Sequence, residues 1–529
     1  MNTRQRMEAL RTRQPAPAGM AMRKAPRVES AQNTLPNWPQ RRSFCPPGME
    51  KRNGECVSSV CTPRVHPLVN AVRNAELAEY ERTIRKRFDA IVPTLKDIAA
   101  QQHEAGFDER AQQVARELLG FELPAEVLGD AWVTTLDMRK LYGHSVLQTY
   151  HALAREFGAR WNGGTDAEAM QRFFIECGFH EVDVSPCADG RLKGLLQFIL
   201  RLPHQAVRRR KSYAGAMFDV ELNVKQWVET ELRRFREGFP TLSDAGTRYL
   251  KIAVYHFSSS DPHNEGCAAH GSDEKKAAQA ALERLVAFRT AIENGFCCGA
   301  SVVTLLIGVD TDNDAIKIHV PDAQGEMSVD CFVDNLNVYH QTADMAASEA
   351  SWRLGAAIDE AALEAGRSTP EAGMRRLIER LLTNNLSQID YVCANHNGRY
   401  ADIGHAERFI NIGDGFDEVQ LRNLAYFGHL YTIEEGAADM DVGIRIFSKL
   451  NVTHGLPIPI AIHYRYDEQV PGSRGRAVAR CRRVKAAIDM RYPELTREGL
   501  LFCGMTVQGK QPGSMQEAVE ELENNMHGH

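Results

Sequence analysis

The stretches S-P-C-A-D-G-R (residues 185–191) and Y-H-F-S-S-S-D-P-H-N-E-G-C-A-A-H-G-S (residues 255–272) hold the side chains around which this sequence is organised. They supply two thiols, Cys187 and Cys267, and one imidazole, His256. Zinc takes thiolate and imidazole ligands in tetrahedral geometry, and catalytic zinc sites keep one position for water. The pattern predicts a three-ligand zinc site with one position left for chemistry.

Each of these ligands is expected at the end of a regular element. Cys187 follows a short β-rich run that ends at Pro186, and His256 closes the β-rich run Ile252–His256. Cys267 opens an alanine-rich stretch that predicts a helix, whose positive end favours a thiolate. Side chains at the carboxyl ends of neighbouring parallel strands converge in the crevice of an α/β sheet. The sequence therefore predicts an α/β domain with the zinc site in that crevice.

Asp189 and Arg191 follow Cys187 at alternate positions. If this segment stays extended, the three side chains share one direction. Arg191 can then hold Asp189 in a two-pronged ion pair that keeps the carboxylate ionised. A carboxylate held next to a metal can accept a hydrogen bond from an attacking oxygen, so both residues are predicted to be catalytic.

The pattern C-x-D-x-R, followed later by a histidine and a second cysteine, resembles the β-class carbonic anhydrases. In that class the histidine and the second cysteine are normally two residues apart, whereas ten residues separate His256 from Cys267 here. This insertion, the extra N-terminal region and the total length are similar to the carboxysome shell carbonic anhydrases, a divergent β-class branch. By the pattern of that family, Cys187, His256 and Cys267 match the zinc ligands, while Asp189 and Arg191 match the aspartate–arginine dyad.

The resemblance implies a function and a set of partners. It implies reversible, zinc-dependent hydration of CO2 to bicarbonate with one Zn²⁺ per chain, in a homodimer or a higher homo-oligomer. It also implies that the enzyme supplies CO2 to Rubisco inside a carboxysome of the bacterial cytoplasm. Two alternatives stay open: a hydrolase of another CO2-like molecule such as carbon disulfide on the same fold, and a carboxysome scaffold protein in which zinc is only structural.

The composition excludes several other classes of protein. Hydrophobic residues make up 43% and charged residues 25% of the 529 residues, with a formal net charge of −6, as in an ordinary globular protein. No apolar run reaches the ~18 residues of a membrane span, and the N-terminus has no apolar core like that of a signal peptide. The 12 cysteines have no disulfide-scaffold spacing, which indicates a reducing cytoplasm. Neither a membrane nor a nucleic-acid partner is expected.

Composition shifts divide the chain into four parts. Residues 1–64 are predicted to be a disordered basic tail, and residues 65–160 an all-α domain. Residues 161–397 are predicted to form the catalytic β-carbonic-anhydrase-like domain, and residues 398–529 a degenerate second copy of it that binds no zinc. Within the catalytic domain the patterns predict helices at Ala167–Cys177, Val220–Phe239 and Ala268–Ala291. They predict one buried strand, at Ser301–Val309.

The tail has a strong charge bias. Up to Arg42 it holds nine Lys or Arg against two acidic residues, and five prolines interrupt any long helix. A solvated tail is one interpretation, and a basic tether for an acidic partner is the other. In the resembling family the tail docks the enzyme inside the carboxysome, so Rubisco or the shell is the expected partner.

The second copy is predicted from two short similarities between the halves. The first pairs I-A-V-Y-H-F at residues 252–257 with I-A-I-H-Y-R at 460–465. The second pairs V-S-P-C-A-D-G-R at residues 184–191 with F-I-N-I-G-D-G-F at 409–416. In this alignment Tyr464 replaces His256 and Ile412 replaces Cys187. A chance match of apolar strands is the alternative.

Other possible ligands are weighed against this site. His263 and His270 flank Cys267, and each is open as a ligand, a proton shuttle or a loop residue. His256 ranks first because a strand fixes its position, and His270 is predicted to be a nearby proton acceptor.

A second set of possible ligands lies near the N-terminus, at Cys45, Cys56, Cys61 and His66. These residues lack a C-x-x-C knuckle, which favours incidental thiols over a second zinc site. Arg208, Arg209, Arg210 and Lys211 indicate a solvated loop or, as a minority interpretation, an anion site.

Overall fold

The structure, a computed structural model, describes most of the chain from residue 49 onward. The described ranges are 49–52, 55–58, 65–158, 167–207, 209–210, 212–238, 248–296, 301–400, 408–414, 416, 419–428, 433–511 and 514–519. Helices surround two mainly parallel sheets in these ranges, which confirms the α/β class. No helix in the same ranges combines the length and the apolar character needed to cross a bilayer.

The N-terminal region contributes a described hairpin. Strands β1 (Met49–Arg52) and β2 (Glu55–Ser58) pair antiparallel. The residues between them in the sequence are Asn-Gly, the dipeptide that most favours a two-residue hairpin turn. The prediction of disorder over residues 1–64 is therefore wrong for this hairpin, and the rest of that tail lies outside the described residues.

A helical region follows, as predicted. Its α-helices are α1 (Ala71–Asp89), α2 (Ile91–Ala100), α3 (Phe107–Leu118), α4 (Ala125–Gly129) and α5 (Met138–Gly158). The Asn70 side chain caps α1 by accepting a hydrogen bond from the Arg73 N–H at 3.0 Å. Each helix turns an apolar stripe towards its neighbours, as amphipathic helices must to bury a common core.

The central sheet, called sheet I, has six strands in the order β4-β3-β5-β6-β7-β8. Their bounds are Glu181–Pro186 (β3), Arg209–Arg210 (β4), Arg248–Phe257 (β5), Ser301–Asp310 (β6), Ile316–His319 (β7) and Phe332–Asp334 (β8). Strands β4, β3, β5 and β6 are parallel, whereas β7 and β8 are antiparallel to their neighbours. The carboxyl ends of β3 and β5 are therefore adjacent, as the site requires.

Helices pack on both faces of sheet I. They are α6 (Ala167–Glu176), α7 (Val220–Arg236), α8 (Glu274–Phe296), α9 (Asn335–Thr342), α10 (Ala347–Glu364) and α11 (Ala372–His396). The almost purely apolar strand β6 is buried on both faces, with Leu305, Leu306 and Ile307 all fully buried. This burial explains why its sequence does not alternate.

A second sheet, called sheet II, has five strands in the order β10-β9-β11-β12-β13. Their bounds are Phe409–Gly413 (β9), Ala425–Gly428 (β10), Ile458–Tyr466 (β11), Leu501–Gly509 (β12) and Gln516–Ala518 (β13). The described helices of this part are α12 (Ile433–Leu450), α13 (Ser473–Arg491) and α14 (Pro493–Arg497). Sheet II has the same strand order and directions as β4-β3-β5-β6-β7 of sheet I.

The strand register differs from the predicted alignment of the two halves. Ile412 pairs with β11 in the way that Pro186 pairs with β5. With β11 aligned on β5 as predicted, Gly413 and not Ile412 takes the place of Cys187, so the two predicted matches disagree by one residue. Two apolar strands look alike at neighbouring registers, so only the hydrogen-bonded pairs separate them.

The helical region and sheet II share a core. Leu141, Val146 and Tyr150 of α5 are buried together with Phe409 and Ala461 of sheet II. The other face of sheet II is covered by a separate apolar cluster that includes residues of α12 and α13. The helices at 71–158 thus cover one face of sheet II.

One other local prediction is corrected, in the segment that follows a short π-helix at Leu195–Ile199. Arg209 and Arg210 were expected in a solvated loop, but they form β4 and pair with Asp183 and Val184. Arg208 and Lys211 of that basic run lie outside the described residues.

His66 anchors the start of the helical region to α9 and α11. Its ring is 1% exposed, its Nε2 lies 2.8 Å from Thr342 Oγ1, and it stacks on Tyr339. The backbone N–H of His66 also donates to Asp390 Oδ1. His66 is therefore a structural residue, whereas Cys45, Cys61 and the side chain of Cys56 lie outside what the structure describes.

Candidate metal centre

The structure brings the three predicted ligands together. One ligand atom from each of Cys187, His256 and Cys267 lies within 4.8 Å of the others, and all three residues are buried. Cys187 directly follows β3, His256 is the penultimate residue of β5, and Cys267 precedes the short 3-10 turn Ala268–His270. Within the described part of the chain, this is the group of His, Cys and acidic side chains with a geometry suited to a metal ion.

The distance between the sulfurs suits a tetrahedral ion. Two Zn–S bonds of ~2.3 Å at a tetrahedral angle place the sulfur atoms ~3.8 Å apart. The observed distance between Cys187 Sγ and Cys267 Sγ is 3.9 Å. The donor set also suits zinc chemically, because thiolate and imidazole are its preferred ligands in proteins.

His256 has a ring nitrogen available for a ligand. Its Nδ1 is buried and makes no hydrogen bond to any residue that the structure describes. Its Nε2 lies 3.3 Å from Asp189 Oδ2 and 3.3 Å from Arg191 Nη2. A buried nitrogen without a partner is costly unless something binds it, so this ring fits a metal centre better than a packed core.

The two thiols act as a coupled acid pair. The hydrogen bond with Cys267, together with burial, raises the pKa of Cys187 well above its ordinary value. The same hydrogen bond lowers the pKa of Cys267. A cation that binds both sulfurs must displace the protons of these thiols, since cysteine binds metals as the thiolate.

Asp189 and Arg191 form the predicted ion pair beside these ligands. Arg191 Nε and Nη2 donate to Asp189 Oδ1 and Oδ2, each at 2.9 Å, and both side chains are almost fully buried. The segment is not extended, however, because residues 190–192 form a 3-10 turn capped by the Asp189 side chain. The capping turn, and not a strand, directs the two side chains towards each other.

At least four of the five N–H groups of the Arg191 guanidinium have an acceptor. Besides the two bonds to Asp189, Nη1 donates to the Glu265 carbonyl at 2.8 Å and to Thr311 Oγ1 at 3.1 Å, and Nη2 lies 3.3 Å from His256 Nε2. These bonds in a planar fork fix the position of the guanidinium. The carboxylate of Asp189 is in turn held rigidly beside the ligand group.

The two other histidines near Cys267, His263 and His270, differ in how far they are exposed to solvent. His263 is exposed in the loop and lies outside the ligand group. His270 is half-buried, and its Nε2 lies 3.1 Å from the Gly215 carbonyl oxygen. The expected helix at Ala268–Ala291 is interrupted, since the 3-10 turn is separated from α8, which begins at Glu274. The role of His270 as a proton acceptor stays a prediction.

Sequence reasoning missed two residues that support the site. The backbone N–H of Gly215 donates to Cys187 Sγ at 3.3 Å, and Thr311 accepts from Arg191. Thr311 could have been found because it directly follows the buried strand β6, where the strand-end rule places functional side chains. Nothing in the sequence around Gly215 indicates its role, because a tight turn on another segment brings it to the sulfur.

The other cysteines stay apart from the centre. Among the described cysteines, Cys177, Cys331 and Cys481 are buried, and Cys393 and Cys503 are half-buried, all as free thiols. Cys297 and Cys298 lie outside the described residues.

Comparison with known proteins places these observations in a family. Models of the carboxysome shell carbonic anhydrase match the chain in three consecutive parts: the N-terminal part at residues 66–158, the catalytic domain at 169–405 and the C-terminal part at 406–523.

Relatives named carboxysome shell carbonic anhydrase are similar over nearly the whole chain. The protein of Halothiobacillus neapolitanus is 47% identical over 98% of this chain and 99% of its own length. The protein of Prochlorococcus marinus (strain MIT 9313) is 45% identical over 94% of this chain and 98% of its own length. The protein of Parasynechococcus marenigrum is 48% identical over 93% of this chain and 85% of its own length. The zinc-type ligand group therefore stands in a chain that belongs to the carboxysome shell carbonic anhydrase family.

Proposed function

We propose that this chain catalyses the reversible hydration of CO2 to bicarbonate at a single zinc ion held by Cys187, His256 and Cys267. The observation that carries the proposal is the buried Cys-His-Cys group with the Asp189–Arg191 pair directly against it. A closed structural zinc site needs no such dyad, because all four of its positions are protein ligands. The names of the relatives support the same activity.

The metal and the residues divide the work. Zinc held by Cys187, His256 and Cys267 would lower the pKa of a water molecule to roughly 7 and so supply a hydroxide nucleophile at neutral pH. Asp189 accepts the hydrogen bond of the attacking oxygen and orients it towards the carbon of CO2. Arg191 keeps Asp189 ionised and stationary through its two N–H···O bonds. Burial of all five side chains strengthens these interactions by excluding water.

We further propose that sheet II is a degenerate copy of the β-carbonic-anhydrase-like core and binds no zinc. The equal strand order of the two sheets supports a duplication. In this proposal β11 is aligned on β5, so Tyr464 takes the place of His256 and Gly413 that of Cys187. Gly413 has φ +106°, and a Cβ there would overlap the His463 carbonyl oxygen. A cysteine at that position would require the backbone to move.

We place the enzyme in a carboxysome, where CO2 released from bicarbonate is available to Rubisco. The relatives are named as carboxysome shell proteins, and the basic composition of residues 1–42 suits an acidic partner. Docking to Rubisco or to the shell through that tail, and assembly as a homodimer or larger homo-oligomer, are parts of this proposal.

The test is stopped-flow CO2 hydration with metal analysis on the same sample. We expect fast hydration and about one zinc per chain, because one ligand group is complete. The variant Cys187→Ala should lose both the zinc and the activity. Cys177→Ala, which removes another buried thiol of the same domain, is the matched control and should keep both.

Different outcomes would contradict different parts of the proposal. A zinc-loaded, fully active Cys187→Ala protein would refute the assigned ligands. Two zinc ions per chain would refute the degenerate second copy. One zinc without hydration would favour another CO2-like substrate or a scaffold role.

A further inference from the structure

Thr311 links Arg191 to the end of sheet I. It is fully buried one residue beyond β6, and its hydroxyl donates to the Phe257 carbonyl oxygen at 2.9 Å. With its proton directed there, Oγ1 presents a lone pair to Arg191 Nη1 at 3.1 Å. Thr311 thus orients the guanidinium without being a member of the ligand group.

Arg422 holds Thr311 from the other half of the chain. It lies in the C-terminal family region, and its Nη2 donates to the Thr311 carbonyl oxygen at 2.7 Å. Its Nη1 pairs with Asp314 Oδ1 at 3.2 Å, and its guanidinium lies 4.1 Å from the centre of the Tyr400 ring. Arg422 is buried, so this planar cation is held on two edges and one face.

The residues next to Arg422 contact the other side of the dyad. The Asn423 N–H donates to the Gly190 carbonyl oxygen at 2.8 Å, in the turn between Asp189 and Arg191. Lys193 Nζ donates to the Phe416 carbonyl oxygen, also in the C-terminal region. The C-terminal region therefore holds both the Thr311 turn and the dyad turn.

We propose that Thr311 and Arg422 are positioning residues for the Asp189–Arg191 pair, and that this support is a function retained by the half of the chain that carries no ligand group. The inference deepens the proposed function and rests on it. Neither residue belongs to the Cys-His-Cys ligand group. Each acts by holding Arg191, whose displacement would turn the Asp189 carboxylate away from the nucleophile.

The decisive pair of variants is Thr311→Val and Thr311→Ser. Valine keeps the shape of threonine but removes the acceptor for Arg191, whereas serine keeps the hydroxyl. We expect kcat/KM for CO2, per bound zinc, to fall about tenfold in the valine variant, since bonds to charged groups are the strong ones. The serine variant should stay close to the original rate, and both should keep their zinc.

A spectroscopic readout separates positioning from general loosening. Asp189 Oδ2 lies 3.3 Å from His256 Nε2, so a carboxylate released by Arg191 would change its contact with the ring of this ligand. With cobalt(II) in place of zinc, we expect the visible absorption spectrum to change in Thr311→Val and to remain unchanged in Thr311→Ser.

Thr342→Val is the matched control for these variants. Thr342 is as deeply buried as Thr311, and its hydroxyl also joins two partners, Val338 O and His66 Nε2. It lies at the junction with the helical region, so its loss should lower the melting temperature and leave the per-zinc rate and the cobalt spectrum unchanged.

The outcomes distinguish this inference from the proposed function. If the unaltered zinc-loaded chain hydrates no CO2, the proposed function fails. If that chain is active and Thr311→Val matches it in kcat/KM and in the cobalt spectrum, the positioning role is overturned. Should the valine variant not fold, Arg422→Met decides in the same two assays, and a rate equal to that of the unaltered chain overturns the inference.

Discussion

Asp189 is held in one orientation by a guanidinium that has no freedom of its own. Its two oxygens accept from Arg191 Nε and Nη2, and the Arg191 N–H also closes the capping turn onto Oδ1. Replacing the carboxylate by an amide would keep the size of the side chain but present donors to Arg191. The dyad is therefore the place where a small chemical change should separate metal binding from turnover.

We expect Asp189→Asn to keep its zinc and to lose most of its CO2 hydration activity, about 10²-fold or more, the lower range for loss of a positioned acid–base group. Zinc content and stopped-flow rates on one preparation measure both effects. Asp183→Asn is the control, because Asp183 in β3 is another buried carboxylate. Its Oδ1 lies 3.2 Å from Lys251 Nζ of β5. This variant should lower stability and leave the rate per zinc intact, and an equal loss in both variants would contradict a specific role of Asp189.

At the level of elements, the turn Ala214–Ala216 brings a third segment to the metal centre. Gly215 in this turn has φ +65° and donates its N–H to Cys187 Sγ. A Cβ at this position would lie 2.5 Å from His270 Nε2 and 3.0 Å from the Ala269 side chain. The glycine is therefore required both by the backbone conformation and by the close approach of the Cys267 turn.

We expect Gly215→Ala to weaken zinc retention roughly 10- to 100-fold, because outer partners of metal ligands contribute at that level. Competition with a zinc chelator measures the effect. Gly106→Ala is the control: Gly106 also has φ +70°, but a Cβ there would meet nothing within 4 Å. It tests backbone strain alone, and equal zinc affinity of the two variants would contradict the role of Gly215.

The sequence predicted the parts of the site that lie at strand ends. Cys187 and His256 follow β-rich runs, and the structure places them beside each other because β3 and β5 are parallel neighbours. It could not predict the contacts made by turns, such as Gly215, nor the register of β9, because apolar strands fit equally well one residue apart. Hydrogen-bond pairing, which only the folded chain has, decides both.

For the whole molecule, the two sheets and the helical region depend on one another. The helices at residues 71–158 cover sheet II, and the C-terminal region contacts the dyad turn of sheet I through Asn423. Buried polar groups lie at these junctions, including His66 against α9 and α11 and His463 in sheet II. Stability should therefore depend on the protonation of histidines that are far from the metal centre.

His463 gives the clearest case of this dependence. Burial, with smaller effects from His151 and Arg465, lowers its pKa from 6.5 to about 3. Between these two pH values the unfolded chain binds a proton at His463 and the folded chain does not. The stability that the neutral His463 contributes is therefore fully present above pH 6.5 and is lost as the pH falls towards 3. The slope for one such group is at most about 1.4 kcal/mol per pH unit.

We expect His463→Gln, which cannot take up that proton, to lose less stability than the unaltered chain as the pH falls from neutral to about 5. Urea unfolding of both proteins across this range measures the difference. Asp310 opposes the effect, since burial raises its pKa to about 6, but it is present in both proteins and cancels. The exposed His340→Gln controls for the loss of a histidine. A gap between His463→Gln and the unaltered chain that stays constant over the range would show that His463 is not a source of acid sensitivity.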